Sequence, residues 1–238
     1  AEKGHPVYDF SLPMLLLHSI YSSTSKRLKD WLRKCPADQY TTLDTHDGIG
    51  VVDVKDLMTD REIEETREML YKQGSNVKKV YSSEAYDNLD IYQINCSYYS
   101  ALGNDDDSYL LARAVQFFAP GIPQVYYVGM LAGKNDIQLL EKTKVGRNIN
   151  RHYYSKTEIE EEVKRPVVQK LIKLMEFYNS YSAFDGDYTI SDAEGEEKLE
   201  ISWKNGNAEA VLKADFADRS FEINYYDLDN AEMKTLNI

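Results

Sequence analysis

The sequence predicts an α/β protein in which a parallel β/α part is followed by an antiparallel β module. In the first part, short apolar strand patterns alternate with helical patterns, and this alternation is typical of parallel β/α architectures. From about residue 183 the helical periodicity disappears, and short strand patterns follow one another with turns between them. Closely spaced strands of this kind favour an antiparallel sheet.

The chain begins with a pattern of strand, helices and strand. The first strand is predicted at residues 7–10, where a serine and a proline end it. Residues 12–20 are strongly apolar and predict a buried helix, and residues 26–34 continue helically after a serine cluster. The next strand is predicted at residues 40–45. This order is that of a β/α unit.

The region over residues 51–104 does not fit the alternation. Thr59 and Glu62 form a capping box, which predicts a helix to about residue 71. The rest is polar or rich in tyrosine, and it is too long and irregular for an ordinary β/α connection. We interpret the region as an insertion that carries binding residues.

The alternation resumes at residue 105 with a capped helix over residues 105–118 and an apolar strand over residues 122–128. A long polar loop is predicted at residues 129–156. Two helices follow, beginning at Thr157 and Pro166.

The antiparallel module is predicted from five short strand patterns. Asn205 and Gly206 lie between two of them and form a strong hairpin signal. The strands are predicted at residues 188–190, 199–203, 208–213, 221–226 and 233–238.

Composition excludes several classes of function. The formal net charge of −12 argues against a general nucleic-acid or anionic-membrane binder, because both need clustered Lys and Arg. The longest apolar run, residues 14–17, is too short to span a membrane, and from the first residues we expect no signal peptide. The two cysteines, Cys35 and Cys96, have no metal-ligand spacing and suit a reducing cytoplasm. We therefore expect a cytoplasmic protein without a metal site, and we interpret the carboxylates of residues 105–107 as a helix cap.

The candidate site is the segment over residues 41–54. His46 and Asp47 follow a short apolar strand, and Gly48 and Gly50 follow them. Polar residues at the C-terminal ends of parallel strands are where chemistry usually lies in barrel and open α/β enzymes. An Asp-Gly pair after a strand is also an ordinary turn. The residues alone leave both interpretations open.

Four motifs resemble those of sucrose phosphorylases, which are members of the α-amylase clan of retaining glycoside-active enzymes. They are LDTHDGIGVVD (residues 43–53), NLDIYQIN (88–95), PGIPQVYYVG (120–129) and LAGKND followed by GRNINRHYYS (131–155). The resemblance covers nearly the whole chain but only the second half of such an enzyme. It implies the C-terminal half of a (β/α)₈ TIM barrel, with an inserted subdomain and a C-terminal antiparallel β domain. The implied parts are residues 1–50, 51–104, 105–182 and 183–238.

The resemblance also implies roles for individual residues. Asp47 takes the role of the carboxylate that stabilises the oxocarbenium-like transition state, while His46 and Arg147 bind the glucosyl unit. An acceptor loop corresponds to Leu89, Asp90, Ile91, Tyr92 and Gln93. In the family, the counterparts of Asp90 and Gln93 bond fructose and that of Tyr92 moves in beside phosphate. For Arg151 and His152 we favour a structural or surface role.

A retaining mechanism needs two further carboxyl groups, a nucleophile and an acid/base. No segment here resembles the family motifs that carry them, so the chain alone is predicted to be inactive. The implied substrates are sucrose and phosphate, with glucosyl and fructosyl units bound at the site, and no cofactor or metal is implied. Since half a barrel exposes strand edges, we expect it to pair with its missing N-terminal half or to form a homo-oligomer.

Two alternatives remain. The first is a related phosphorylase that acts on sucrose 6-phosphate or another acceptor, although Asp90 and Gln93 are not replaced by the basic residues that would favour a phosphorylated acceptor. The second is a non-catalytic sugar-binding or interaction protein derived from the family. The presence of Asp47 and Arg147 argues against it, because a pure binder has no need of a transition-state carboxylate.

Overall fold

A computed structural model describes residues 5–75, 93–192 and 194–238. In chain order its helices are α1 (Leu12–Ser22), α2 (Lys26–Leu32), α3 (Asp60–Lys72), α4 (Tyr98–Ala101), α5 (Asp106–Phe118), α6 (Tyr127–Met130), α7 (Ile137–Thr143), α8 (Lys156–Glu162) and α9 (Pro166–Ser180). Its strands are β1 (Val7–Asp9), β2 (Gln39–Thr41), β3 (Ile49–Gly50), β4 (Gln93–Ile94), β5 (Ile122–Pro123), β6 (Asp187–Ser191), β7 (Lys198–Asn205), β8 (Ala208–Asp215), β9 (Ser220–Asp227) and β10 (Glu232–Thr235). Three 3₁₀ turns cover Val52–Val54, Gly146–Asn150 and Ser182–Asp185.

The β/α part contains a parallel sheet with the order β1-β2-β5, as the alternation of strands and helices predicts. Tyr8, Tyr40 and Ile122 lie side by side across the three strands. Tyr8 and Ile122, on the two outer strands, are 47% and 59% exposed. The sheet therefore presents an apolar and aromatic face that the described residues leave largely uncovered.

Asp9 at the end of β1 starts the helix that follows. Its Oδ1 accepts hydrogen bonds from the backbone N–H groups of Ser11 and Leu12, both at 3.0 Å, and its Oδ2 accepts one from Trp31 Nε1 at 2.8 Å. Burial raises the pKa of Asp9, against the opposing effect of these hydrogen bonds. Asp9 thus supplies the acceptors that the first N–H groups of α1 need.

The structure corrects two local predictions between residues 122 and 156. The predicted strand over residues 122–128 is short: β5 ends at Pro123, Gln124 N still bonds Thr41 O at 2.8 Å, and α6 begins at Tyr127. An apolar run of this length does not distinguish a buried strand from a helical turn. The predicted polar loop over residues 129–156 contains α7 and a 3₁₀ turn, because Asp136 accepts a hydrogen bond from Leu139 N at 2.8 Å and caps α7.

Helix starts agree with the predicted caps in three places and differ in a fourth. Thr59 and Glu62 form the predicted capping box of α3, Asp105 caps α5, and Pro166 is the first residue of α9. The helix predicted at Thr157 begins at Lys156 instead, with Ser155 and Glu158 as its capping box. Ser155 and Thr157 are each followed by a glutamate three residues later, so the sequence pattern alone does not decide which of them caps the helix.

The C-terminal module is an antiparallel sheet with the order β10-β9-β8-β7-β6, which confirms the prediction. Asn205 pairs with Ala208 across the predicted hairpin, and Gly206 has a φ of +58° there. Trp203 Nε1 donates to the carbonyl oxygen of Phe118 at 2.8 Å. The sheet is therefore hydrogen-bonded to the end of α5.

The insertion predicted at residues 51–104 lies partly outside the described residues, and it stays a prediction. Cys35 and Cys96 are buried free thiols, and burial raises the pKa of each to about 12. Within the described ranges, none of the helices has the length and apolar character that crossing a membrane requires.

Candidate active site

The candidate site follows β2 on a tight turn, and β2 ends at Thr41 instead of the predicted residue 45. Asp47 N donates to Thr45 Oγ1 at 3.1 Å, and Gly48 N donates to the carbonyl oxygen of Thr45 at 3.3 Å. Gly48 has a φ of +110°, and a Cβ at this position would lie 2.5 Å from the carbonyl oxygen of Ile94. The turn that carries His46 and Asp47 therefore requires glycine at its end.

The carboxylate of Asp47 is held by three side chains. Its Oδ1 accepts a hydrogen bond from Arg147 Nη1 at 2.9 Å and one from Arg151 Nη2 at 3.3 Å, while its Oδ2 lies 3.2 Å from His46 Nε2. The Asp47 side chain is 29% exposed. Charge-assisted hydrogen bonds of this kind fix the orientation of a carboxylate. Asp47 is thus an oriented, solvent-accessible anion at the end of a parallel strand.

A single segment, Gly146–Asn150 and the residue after it, supplies both guanidinium groups. It is docked on the strand end by two hydrogen bonds to the backbone, from Asn150 Nδ2 to Thr45 O at 2.8 Å and from Arg151 Nε to His46 O at 2.7 Å. The structure therefore brings together His46, Asp47 and Arg147, which the sequence predicts as site residues. It also adds Arg151, for which the sequence favoured a structural or surface role. The four-residue spacing from Arg147 to Arg151 gives no local signal for the second arginine, because the first lies in a 3₁₀ turn and the second follows its end.

The opposite side of this segment is fixed through His152. His152 Nδ1 lies 2.5 Å from Asp136 Oδ2, and its Nε2 lies 3.4 Å from Glu158 Oε1. Burial lowers the pKa of His152, but the hydrogen bonds and charges of the two carboxylates outweigh it, and the pKa is raised. His152 lines a cavity of about 660 Å³ together with Tyr154 and Arg165. His152 is thus held by two carboxylates, and its structural or surface role stays a prediction.

The predicted acceptor residues are only partly described. Leu89, Asp90, Ile91 and Tyr92 lie outside the described residues. Gln93 is the first residue of β4 and pairs with Gly50 in an antiparallel bridge.

Asn95, two residues beyond Gln93, donates through Nδ2 to the carbonyl oxygen of Asp47 at 2.7 Å. The segment that ends the predicted acceptor loop is therefore attached directly to the turn that carries Asp47. Sequence reasoning did not select Asn95.

Chemically, the arrangement is an accessible carboxylate surrounded by hydrogen-bond donors. Among the described residues, Asp47 is the one carboxylate that contacts His46, Arg147 and Arg151. No group of three or more potential metal ligands is found in the described parts of the chain. The site can thus stabilise positive charge or bind hydroxyl groups.

Comparison with known proteins finds phosphorylases that are similar to this chain in sequence and in structure. The chain is 58% identical to the sucrose phosphorylase of Streptococcus mutans over 216 residues, which are 90% of this chain and 45% of that protein. The crystal structure of sucrose 6F-phosphate phosphorylase from Thermoanaerobacter thermosaccharolyticum superposes with a TM-score of 0.91 at 41% identity, over 100% of this chain and 48% of that one. The chain spans about half the length of the curated relatives it matches. No protein-family model matches it.

A more distant structure supports the fold alone. The α-amylase from H. orenii superposes with a TM-score of 0.56 at 12% identity, over 90% of this chain and 40% of that one. The chain therefore has part of the α-amylase-type TIM-barrel fold, followed by its antiparallel sheet.

Proposed function

This chain is homologous to the C-terminal half of sucrose phosphorylases, and from this relationship we propose that it forms part of a glucosyl-transferring phosphorylase. In the proposed reaction an enzyme carboxylate, outside this chain, attacks the anomeric carbon of the glucosyl unit of sucrose, and fructose leaves with a proton from an acid/base residue. A phosphate oxygen then attacks the anomeric carbon of the glucosyl-enzyme, the enzyme carboxylate leaves, and the acid/base residue takes up a proton from phosphate. The products are fructose and α-glucose 1-phosphate, with the configuration retained by two displacements.

Asp47 is proposed to stabilise the oxocarbenium-like transition state. The observation that carries this role is the orientation of its carboxylate by Arg147, Arg151 and His46 at the end of β2. A carboxylate that is already oriented needs no reorganisation when positive charge develops on the sugar ring. The role therefore requires the charge of Asp47 as well as its hydrogen bonds.

His46 and Arg147 are proposed to bind the hydroxyl groups of the glucosyl unit. The His46 side chain is 64% exposed and that of Arg147 is 33% exposed, so that both can be reached by a ligand. A guanidinium presents several donors in a fixed fork, which suits neighbouring hydroxyl oxygens.

The acceptor side is proposed to be formed by Asp90, Tyr92 and Gln93, with Leu89 and Ile91 in the same loop. Its support is the attachment of the end of this loop to the Asp47 turn. Gln93 pairs with Gly50, and two residues later a side-chain amide bonds the carbonyl oxygen of Asp47. Fructose or phosphate bound by the loop would lie next to the glucosyl subsite.

One related activity has a specific observation in its favour. The structure that superposes with a TM-score of 0.91 is a sucrose 6F-phosphate phosphorylase, which makes a phosphorylated sugar an alternative substrate. Against it, Asp90 and Gln93 are not basic, and a phosphate group is best bound by Arg or Lys. Turnover of sucrose and of sucrose 6-phosphate by the same preparation separates the two activities.

The test uses the full-length protein that contains this sequence. We expect release of fructose from sucrose that depends on phosphate, and a rate that Asp47→Asn lowers by roughly a hundred- to a thousandfold, as for loss of one preorganised electrostatic partner. The matched control is Glu160→Gln, which removes one carboxylate from the exposed face of α8 and should leave the rate unchanged. A full-length protein that binds sucrose without turning it over would favour the non-catalytic alternative.

The 238-residue chain alone is proposed to be inactive and to associate through the open edges of its parallel sheet. Tyr8 on β1 and Ile122 on β5 are exposed at these edges, and unpaired strand edges are templates for further pairing. The proposed partner is the missing N-terminal half or a second copy of the chain. Light scattering should give a mass above 27.4 kDa for the isolated chain, and Ile122→Lys should lower it. A monodisperse monomer would contradict this proposal.

A further inference from the structure

A buried ion pair lies at the strand end just before the candidate site. Asp44 Oδ1 accepts a hydrogen bond from Arg113 Nη2 at 2.9 Å, and the two side chains are 1% and 0% exposed. We propose that Arg113, through Asp44, is the positioning residue that holds His46 and Asp47 in their working orientation. The catalytic part of this inference rests on the proposed phosphorylase function, and the geometric part does not.

Each of the three guanidinium nitrogens of Arg113 donates to a neighbouring side chain. Its Nε and Nη2 donate to the hydroxyl oxygen of Tyr109 at 2.9 and 2.8 Å, and its Nη1 donates to Gln116 Oε1 at 2.7 Å. All three residues lie on α5. Burial lowers the pKa of Arg113, but Tyr109 and Asp44 outweigh this effect and the pKa is raised. The group therefore stays charged and has one fixed orientation.

The same network bonds the ends of the two strands that carry the site. Gln116 Nε2 donates to the carbonyl oxygen of Thr41, the last residue of β2, at 3.0 Å and to that of Gln124, just after β5, at 2.9 Å. The hydroxyl of Tyr109 donates to the carbonyl oxygen of Gly129. The strand end that leads to Asp47 and the one that leads toward Arg147 are thus fixed to one helix.

The packing around the ion pair leaves no space for a side chain at residue 129. A Cβ at Gly129 would overlap Nη2 of Arg113 and would lie 2.8 Å from each carboxylate oxygen of Asp44. Asp44 Oδ2 is buried and has no hydrogen-bond partner among the described residues, although a buried polar atom without a partner is costly. Gly129 therefore allows the backbone to approach the pair closely and keeps its geometry unique.

Stability by itself does not account for such a pair. A buried ion pair is often no more stabilising than apolar residues of similar volume, because the cost of removing two charges from water offsets their attraction. What the pair supplies here is a fixed distance between α5 and residue 44, which is two residues before His46. That distance determines where the turn over residues 45–48 begins.

The geometric test uses the histidine ring signals of the 238-residue chain in an NMR spectrum. The chain has four histidines, and His46 reports on the site because its Nε2 lies 3.2 Å from Asp47 Oδ2. We expect Asp44→Asn to displace the His46 signal by more than its line width and to leave the His18 signal in place. The control is Glu232→Gln, which removes an exposed carboxylate beside Lys234 on β10 and should change none of the four signals.

Tyr109→Phe serves as the second variant if Asp44→Asn does not fold. It removes two hydrogen bonds to the guanidinium but no charge, and we expect it to displace the His46 signal as well. A folded Tyr109→Phe or Asp44→Asn chain with an unchanged His46 signal and a lower unfolding temperature would show a merely structural role and overturn the proposal.

The catalytic test uses the full-length protein and separates kcat from KM. We expect Tyr109→Phe to lower kcat, by up to about a hundredfold as for a small misplacement of a reacting group, with KM for sucrose changed far less. If the wild-type protein shows no phosphorolysis, the proposed function fails while the NMR result still decides the positioning role. Normal kcat in a variant with a displaced His46 signal would overturn the catalytic part of the inference.

Discussion

Arg151 donates from Nε to the carbonyl oxygen of His46 at 2.7 Å. The same guanidinium reaches Oδ1 of Asp47 with Nη2 at 3.3 Å, so that it bonds the backbone of one site residue and the side chain of the next. Arg147 has one bond to the same carboxylate, at 2.9 Å, and no backbone partner among the described residues. Arg151 is therefore the fixed member of the pair, and Arg147 is the member that can exchange its partner for a ligand.

Kinetics of the full-length protein should separate the two arginines. We expect Arg147→Met to raise KM for sucrose and lower kcat, because it removes contacts to the bound glucosyl unit. We expect Arg151→Met to lower kcat by up to about a hundredfold with a smaller effect on KM, because Asp47 loses its fixed position. Arg151→Lys should restore little of the lost kcat, because an ammonium group cannot bond two acceptors with one planar fork. Equal KM effects of the two Met variants would contradict this division of roles.

The charge of His152 should make the stability of the chain depend on pH. Its folded-state pKa is raised above the ordinary value of 6.5 by Asp136 and Glu158, which outweigh burial. Its contribution to the free energy of unfolding is therefore complete below pH 6.5 and is lost as the pH rises through the raised pKa. In urea titrations, the difference between the wild-type chain and His152→Gln should shrink from pH 5.5 to pH 8.5.

His18 provides an internal comparison with the opposite sign. Burial lowers its pKa below 6.5, with Arg27 acting in the same direction and Glu62 and Glu65 opposing. In one NMR titration the His152 signal should therefore change above pH 6.5 and the His18 signal below it. Midpoints in the reverse order would show that the contacts of His152 with Asp136 and Glu158 do not form in solution.

The start of α8 can be tested with two single substitutions. Ser155 accepts a hydrogen bond from Glu158 N at 3.3 Å, and Glu158 Oε2 accepts one from Ser155 N at 2.6 Å. We expect Ser155→Ala to lower the free energy of unfolding by about 1 kcal/mol, as for loss of an N-cap. Thr157→Ala, on the exposed face of the helix, should stay within about 0.5 kcal/mol of the wild type. A larger loss for Thr157→Ala in urea unfolding would place the cap where the sequence pattern first predicted it.

The turn at Gly48 should tolerate no side chain. Gly74 has a φ of +79°, and no atom of the described residues lies within 4 Å of a Cβ at this position. Alanine there should cost about 1–2 kcal/mol of unfolding free energy from backbone strain. At Gly48 the same strain is combined with a backbone oxygen 2.5 Å from the new Cβ. Gly48→Ala should therefore lower the unfolding temperature clearly more than Gly74→Ala does. Similar decreases for the two variants would mean that β3 and β4 can move apart at little cost and make room for the added Cβ.

Local patterns predicted much of the secondary structure. The capping box at Thr59, the proline at residue 166 and the Asn-Gly hairpin at residue 205 are confirmed by the structure, because each depends on hydrogen bonds or backbone angles within a few residues. The strand predicted through residue 128 and the helix start at Thr157 were wrong in extent. In both cases the local pattern fits two structures, and contacts from distant residues select one of them.

For the site, the sequence by itself determined which chemical groups are present. They are a histidine and a carboxylate after a strand, a glycine that follows them, and an arginine in a motif that resembles the one in sucrose phosphorylases. Only the tertiary structure decided how these groups are arranged. Arg151 lies 105 positions after His46 and Arg113 lies 69 positions after Asp44, and no periodicity links residues that far apart. They meet because β2 and β5 lie side by side in the sheet, with α5 bonded to both strand ends. Contacts between distant segments depend on that placement, which a local pattern does not contain.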